Sequence, residues 1–254
     1  KELRKEMELS SIRFRTKNSD TEVFLKGYQF WGSQIFNKID GMFSVGILDK
    51  KKNKLLIARD KFGEKPLYYY LDKKNLIVGS ELKIFKSFKK LKLNLDTESL
   101  KKYFIFNFIP SPNTLYKEVK KAKNSNYYEF SLHNFNVKES EYYNLLSKKN
   151  LSIANPLEYL DDLMRESVKT RLVTDQKIGL FLSGGIDSSL IAYYAKELNQ
   201  DIDSFTVSVK GKTFNEIEKA KQLSEYLKIK NFSIDLDEST FNKVYSNIIG
   251  KLDE

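Results

Sequence analysis

The chain has 254 residues, 44 Lys and Arg against 34 Asp and Glu, a net charge of +10 and 41% hydrophobic residues. That length holds one large domain or two smaller ones, and no run of about 18 apolar residues marks a membrane span. With no cysteine and one histidine, His133, these residues hold no disulfide, zinc thiolate, thiol nucleophile, His-based metal cluster or Ser-His-Asp set.

The positive charge raises nucleic acid as a partner, but arginine, the usual reader of phosphates and base edges, is scarce beside lysine. The lysines are scattered, as in Lys50-Lys51-Lys52 at an expected hairpin tip, so neither nucleic acid nor membrane is expected. The first residue is Lys1 and no charged-then-apolar leader follows. The expectation is a piece of a longer cytoplasmic protein.

In chain order, residues 1–10 suggest the tail of an amphipathic helix carrying Leu3 and Met7. Ile12 to Thr16 alternates like a short strand. Ser19 and Glu22 form a capping-box pattern before a helix from Val23 to Trp31, so Asp20 has a structural reason to be acidic. Residues 39–85 suggest an antiparallel set: strands Met42–Leu48, Leu55–Asp60, Leu67–Tyr70 and Leu76–Ser80, then a helix from Glu81. A helix from Leu95 to Phe106 and a proline-fixed loop, Phe108 to Tyr116, follow. His133 is expected at the surface of a turn.

Residues 148–155 are polar and form the expected boundary between domains 1–147 and 148–254. From Pro156 to Arg171, Leu157, Leu160, Leu163, Met164 and Val168 share a helical face, expected to be core. Ile178 to Leu182 suggests a buried parallel strand. Ser183-Gly184-Gly185-Ile186-Asp187-Ser188-Ser189 comes next, then a helix. Strands Asp203–Val209 and Asn231–Leu236 flank a helix expected from Lys212 to Leu227, with Phe214 on its apolar side. Alternating strand and helix implies a parallel sheet with ligands at the strands' carboxyl ends.

The stretch from 183 to 189 carries the chemistry. A strand, a glycine turn and a helix start aim unpaired backbone N–H groups at an anion, and the helix dipole adds to the attraction. Gly184 and Gly185 permit close approach, and Ser183, Ser188 and Ser189 can donate. Asp187 would repel a phosphate unless magnesium lies between them. No lysine of a Walker loop is present. The alternative is a serine-rich cap on an ordinary helix, though a cap needs one such residue.

This loop resembles the S-G-G-x-D-S pyrophosphate loop of ATP pyrophosphatases, which split ATP between the α and β phosphates. Upstream, Ser19-Asp20-Thr21-Glu22, Gly41-Met42-Phe43-Ser44-Val45, the run from Ala58 to Tyr69, and Gly79-Ser80-Glu81-Leu82-Lys83 are similar to the later glutaminase domain of glutamine-hydrolysing asparagine synthetases. The resemblance covers nearly the whole chain. In place of that family's Pro-Gly turn stands Asn124-Ser125-Asn126.

The resemblance implies an N-terminal-nucleophile hydrolase-type fold, two antiparallel sheets between helices, over residues 1–147. A doubly wound parallel-sheet ATP-pyrophosphatase domain over 148–254 would follow. It implies ATP and pyrophosphate binding by Ser183, Gly184, Gly185, Asp187, Ser188 and Ser189, with magnesium at Asp187. It places Phe181, Leu182 and Val207 near the adenine, where core burial is the alternative, and gives Asp20 the α-ammonium of glutamine. The activity implied is ATP-dependent amidation of aspartate through β-aspartyl-AMP, with glutamine as ammonia donor. The cysteine nucleophile and a second synthetase motif would lie outside these residues, so the chain alone is expected to be inactive. A homodimer is compatible with this reading. Alternatives are a relative with another acceptor, an RNA-modifying ATP pyrophosphatase, or a non-catalytic remnant.

Overall fold

The computed structural model describes residues 1–147, 152–174, 176–198, 201–209 and 216–252. They fall into two compact units, one within 1–147 and one within 152–252. The boundary expected at residue 148 lies outside the described residues. No described helix is long and apolar enough to cross a membrane.

The first unit opens with helices α1 (Glu2–Leu9), α2 (Asp20–Trp31) and α3 (Ile35–Lys38). Met7 is fully buried while Leu9 is exposed. Ser19 caps α2 by accepting from the Glu22 amide at 3.3 Å. The reciprocal half of the expected capping box does not form. The Glu22 carboxylate instead accepts from the amides of Arg15 and Thr16, at 2.7 and 2.8 Å, and from the Thr16 hydroxyl. Those bonds explain a second departure. Residues 12–16 form no strand, because two of their amides are committed to Glu22 and the Thr16 carbonyl accepts from Arg4 at 2.6 Å.

Strands β1 (Ser44–Asp49), β2 (Lys54–Arg59), β3 (Tyr68–Leu71), β4 (Leu76–Gly79), β5 (Val119–Lys121), β6 (Asn126–Ser131) and β7 (Val137–Glu141) form two antiparallel sheets. Their orders are β1-β2-β6-β7 and β4-β3-β5. The set expected over 39–85 is therefore divided: the turn after Asp60, with Gly63 at φ +70°, passes the chain from one sheet to the other. The sheets pack through Ile57, Tyr128 and Phe130 from one and Leu67, Tyr69 and Val78 around the other. On their outer faces, Ile35 and Phe36 cover β1 and β2, while Leu82 and Phe85 of α4 (Leu82–Ser87) cover Tyr68 and Tyr70.

Helix α5 (Thr97–Phe106) starts at Asp96, which accepts from the Glu98 amide. In the following loop the Ser111–Pro112 bond is cis. At residues 124–126 it is Ser125, not an asparagine, that takes positive φ (+59°). Its amide and hydroxyl are held by the carbonyls of Asp60 and Lys61, at 3.0 and 2.8 Å. These bonds outweigh the side-chain preference that would put asparagine there. His133 is exposed between β6 and β7.

The second unit begins with α6 (Pro156–Arg171), capped by Asn155 with proline at its first position. Its apolar stripe is core only at the C-terminal half. Val168 and Met164 join the core, but Leu157 (79% exposed), Leu160 and Leu163 stay open. Strands β8 (Gly179–Phe181), β9 (Asp203–Val209) and β10 (Lys230–Leu236) form a parallel sheet in the order β10-β9-β8. Helices α7 (Ile186–Leu198) and α8 (Glu216–Tyr226) share one core cluster, with Ala192, Tyr194, Ala195, Ala220 and Leu182.

Among the described residues the helices thus cover one sheet face, and the double winding expected is seen on that side only. Phe181, Phe205, Val207, Phe232 and Ile234 on the other face are exposed. Accordingly the strand expected to be buried throughout is buried on one side. The start of the helix expected at Lys212, including Phe214, lies outside the described residues. Helix α9 (Glu238–Ile249) was not foreseen; the Asp237 carboxylate accepts from the Thr240 amide at 2.7 Å and opens it.

Candidate functional site

The loop from Ser183 to Ser189 joins the carboxyl end of β8 to α7. Gly184 has φ +73°, and a Cβ there would lie 2.5 Å from Lys219 Cβ and 3.1 Å from the Ala220 nitrogen. Glycine is required both by the dihedral and by the close approach of α8. Gly185 meets nothing comparable; its nearest neighbour would be Ser183 Oγ at 3.5 Å.

Hydroxyls brace the turn. Ser183 Oγ and Ser188 Oγ are 3.0 Å apart, and both Ser188 and Ser189 donate to the Gly185 carbonyl, at 3.1 and 2.7 Å. The Ser183 and Gly185 amides reach hydroxyl oxygens only at 3.4 Å. The Ser189 amide is spent on the first helical turn, at 3.0 Å. The amides of Gly184, Ile186, Asp187 and Ser188 find no acceptor among the described residues. Four unpaired donors in the turn and at the start of a 13-residue helix are what an anion can hydrogen-bond to.

The strand ends beside this loop are fixed from inside. The Thr206 hydroxyl, buried, donates to the Leu182 carbonyl at 2.7 Å, and the Leu182 amide donates to Phe205 at 2.9 Å. Thr206 was missed from sequence because an alternating strand marks it only as a polar residue. Of the three adenine-side candidates, Phe181 (86% exposed) and Val207 (47%) share the open face, and Leu182 (2%) points into the core. The structure therefore separates Leu182 from the other two.

Asp187 lies in the first turn of α7 and is exposed. No group of three or more His, Cys, Asp or Glu side chains capable of holding a metal occurs among the described residues. A single carboxylate still fits magnesium that arrives with a nucleotide, because that ion is commonly held by one or two carboxylates and the substrate phosphates.

In the first unit, Asp20 stands at the start of α2 and borders an open cavity of about 500 Å³, with Phe24, Ser44, Gly46 and Lys65 among its lining. A carboxylate and an ammonium on one cavity suit a zwitterionic ligand. Lys65 was not singled out from sequence, since it stands in the same motif as the structural turn after Asp60.

The two units define a two-domain mixed α/β protein, and its first 143 residues match the glutamine amidotransferase domain family. Residues 159–254 match the asparagine synthase family. The chain is 34% identical over 234 residues to asparagine synthetase [glutamine-hydrolyzing] 1 of Bacillus subtilis, covering 91% of this chain and 36% of that protein. It is 32% identical over 231 residues to a putative asparagine synthetase [glutamine-hydrolyzing] 2 of Methanocaldococcus jannaschii, covering 89% and 45%. The chain belongs to the family of glutamine-hydrolysing asparagine synthetases. It spans less than half the length of these relatives.

Proposed function

We propose that the chain carries the later glutaminase domain and the first part of the ATP-pyrophosphatase domain of an enzyme that amidates aspartate. The first unit is read as an N-terminal-nucleophile hydrolase-type sandwich in which Asp20 receives the α-ammonium of glutamine. The second unit is read as the ATP site. Its loop would grip the β and γ phosphates through the free amides of Gly184, Ile186, Asp187 and Ser188 and the hydroxyls of Ser183, Ser188 and Ser189. Phe181 and Val207 would flank the adenine.

The chemistry follows from what a carboxylate lacks. Aspartate's β-carboxylate has no adequate leaving group, so ATP adenylates it and pyrophosphate departs. Ammonia released from glutamine then displaces AMP, giving asparagine. The loop's part is electrostatic: fixed N–H dipoles meet the charge that gathers on the departing pyrophosphate. Magnesium, held by Asp187 and the phosphates, would neutralise part of that charge.

The observation that carries this reading is the row of amides without acceptors beside a glycine in the left-handed region. In the whole protein, Asp187→Ala should lower AMP formation about a hundredfold or more and leave glutaminase activity largely intact. Equal retention of both activities would defeat the assignment. Product analysis with aspartate as sole acceptor tests the substrate.

A further inference from the structure

We propose that Lys219 is the phosphate-side cation of the nucleotide loop, an inference that rests on the reading of that loop as a pyrophosphate site. Residues 183–189 contain no lysine or arginine. Their amides supply dipoles, and their one charged side chain, Asp187, is an anion. Beyond the charge that magnesium would neutralise, a pyrophosphate held there would be bound more tightly by a positive side chain from elsewhere in the fold.

The fold brings one. Lys219 lies in the first turns of α8, which follows β9, so this end of the helix is at the carboxyl edge of the parallel sheet, on the same edge as the loop. Its Cβ is the atom closest to where a side chain on Gly184 would begin, 2.5 Å away, and its carbonyl carbon is 3.1 Å away. Gly184 thus lacks a side chain where the root of Lys219 sits. The next residue, Ala220, is fully buried, which fixes the helix at that contact.

Direction agrees with position. Cα–Cβ bonds in a helix tilt toward its N-terminus, and long side chains lean over the preceding turn. For Lys219 that is the direction of the sheet's carboxyl edge. The residue is exposed and forms no ion pair among the described residues. Its four-carbon stem is flexible enough to follow a phosphate while its root stays on the loop. It would do from a neighbouring helix what the lysine of a Walker loop does from within the loop.

The test is titration of this chain with inorganic pyrophosphate in a calorimeter at fixed ionic strength. Lys219→Met should weaken binding about tenfold or more, and Lys219→Arg should restore most of it. Lys221→Met removes an exposed charge two residues along the same helix and should bind like wild type. Circular dichroism checks that each variant is folded. If wild type binds and Lys219→Met binds equally well, or if Lys221→Met loses as much, Lys219 has no special role while the loop reading stands. If wild type binds no pyrophosphate at all, the loop reading falls and takes this inference with it.

Discussion

Arg59 and Asp60 are neighbours of opposite charge that form no ion pair with each other among the described residues. Asp60, 1% exposed, accepts from four amides: Phe62 and Glu64 on one oxygen at 3.1 and 2.9 Å, Lys65 and Phe43 on the other at 2.9 and 3.3 Å. Arg59 donates to three carbonyls, of Lys65, Ala122 and Gly63, at 2.8, 2.8 and 2.6 Å. Tyr142 closes the knot by donating to the Arg59 carbonyl at 2.7 Å. The crossing between the two antiparallel sheets is thus held by two charges, each satisfied by backbone.

Removing either should cost more than an ordinary surface substitution. Asp60→Ala leaves buried donors without an acceptor and should lower stability by about 3 kcal/mol or more. Arg59→Lys keeps the charge but cannot spread three donors over carbonyls on different segments, so a smaller loss is expected. Urea midpoints of the first unit provide the comparison. A midpoint for Asp60→Ala within error of wild type would mean the amides find other partners.

Glu22 gives a pH dependence. The amide of Arg15, then the hydroxyl of Thr16, are the main groups holding its carboxyl down, to about 2. A folded pKa below the unfolded value of about 4.3 contributes stability that is complete above that unfolded value. It is lost as pH falls toward about 2. Wild type should therefore lose stability across that acid window more steeply than Glu22→Gln. Parallel slopes for the two proteins, from denaturation at several pH values, would exclude the clasp on residues 15 and 16.

Gly184→Ala meets two obstacles, a left-handed backbone and Lys219 Cβ at 2.5 Å. A strained residue costs on the order of 1–3 kcal/mol. The variant should melt lower and lose ATP affinity. Gly185→Ala has ordinary space and a φ outside the left-handed region, so its melting temperature should change far less. Equal melting losses for the two would show that the glycines act together and not through the α8 contact.

Sequence reached further into the elements than into their contacts. Ser19 and Pro156 announce their helices because the start of a helix is local chemistry. Glu22 could not announce Arg15 and Thr16, since a short loop brings them to it. The stripe on α6 has helical period along its whole length, yet period tells which residues share a face and not how far the neighbouring core extends. At Ser125, two tertiary hydrogen bonds decide a dihedral that composition would give to asparagine. The strand, glycine turn and helix start around residues 183–189 were legible because the residues that make them are consecutive. Lys219, 35 residues on from Gly184, was not, because only α8 packing brings it there.

The end of β8 separates burial from binding in two adjacent residues. Leu182 is 2% exposed in the core with Ala192 and Ala220, whereas Phe181 is 86% exposed on the opposite face. Leu182→Ala should cost about 2–5 kcal/mol through lost burial and the cavity it leaves. Phe181→Ala removes little buried surface and should leave the melting temperature nearly unchanged. If the open face seats adenine beside Val207, Phe181→Ala should weaken ATP binding while pyrophosphate binding, confined to the loop, is retained. Calorimetric titration with both ligands distinguishes the outcomes. Loss of both affinities together would mean Phe181 acts by shaping the loop, and retention of both would move the adenine off this face.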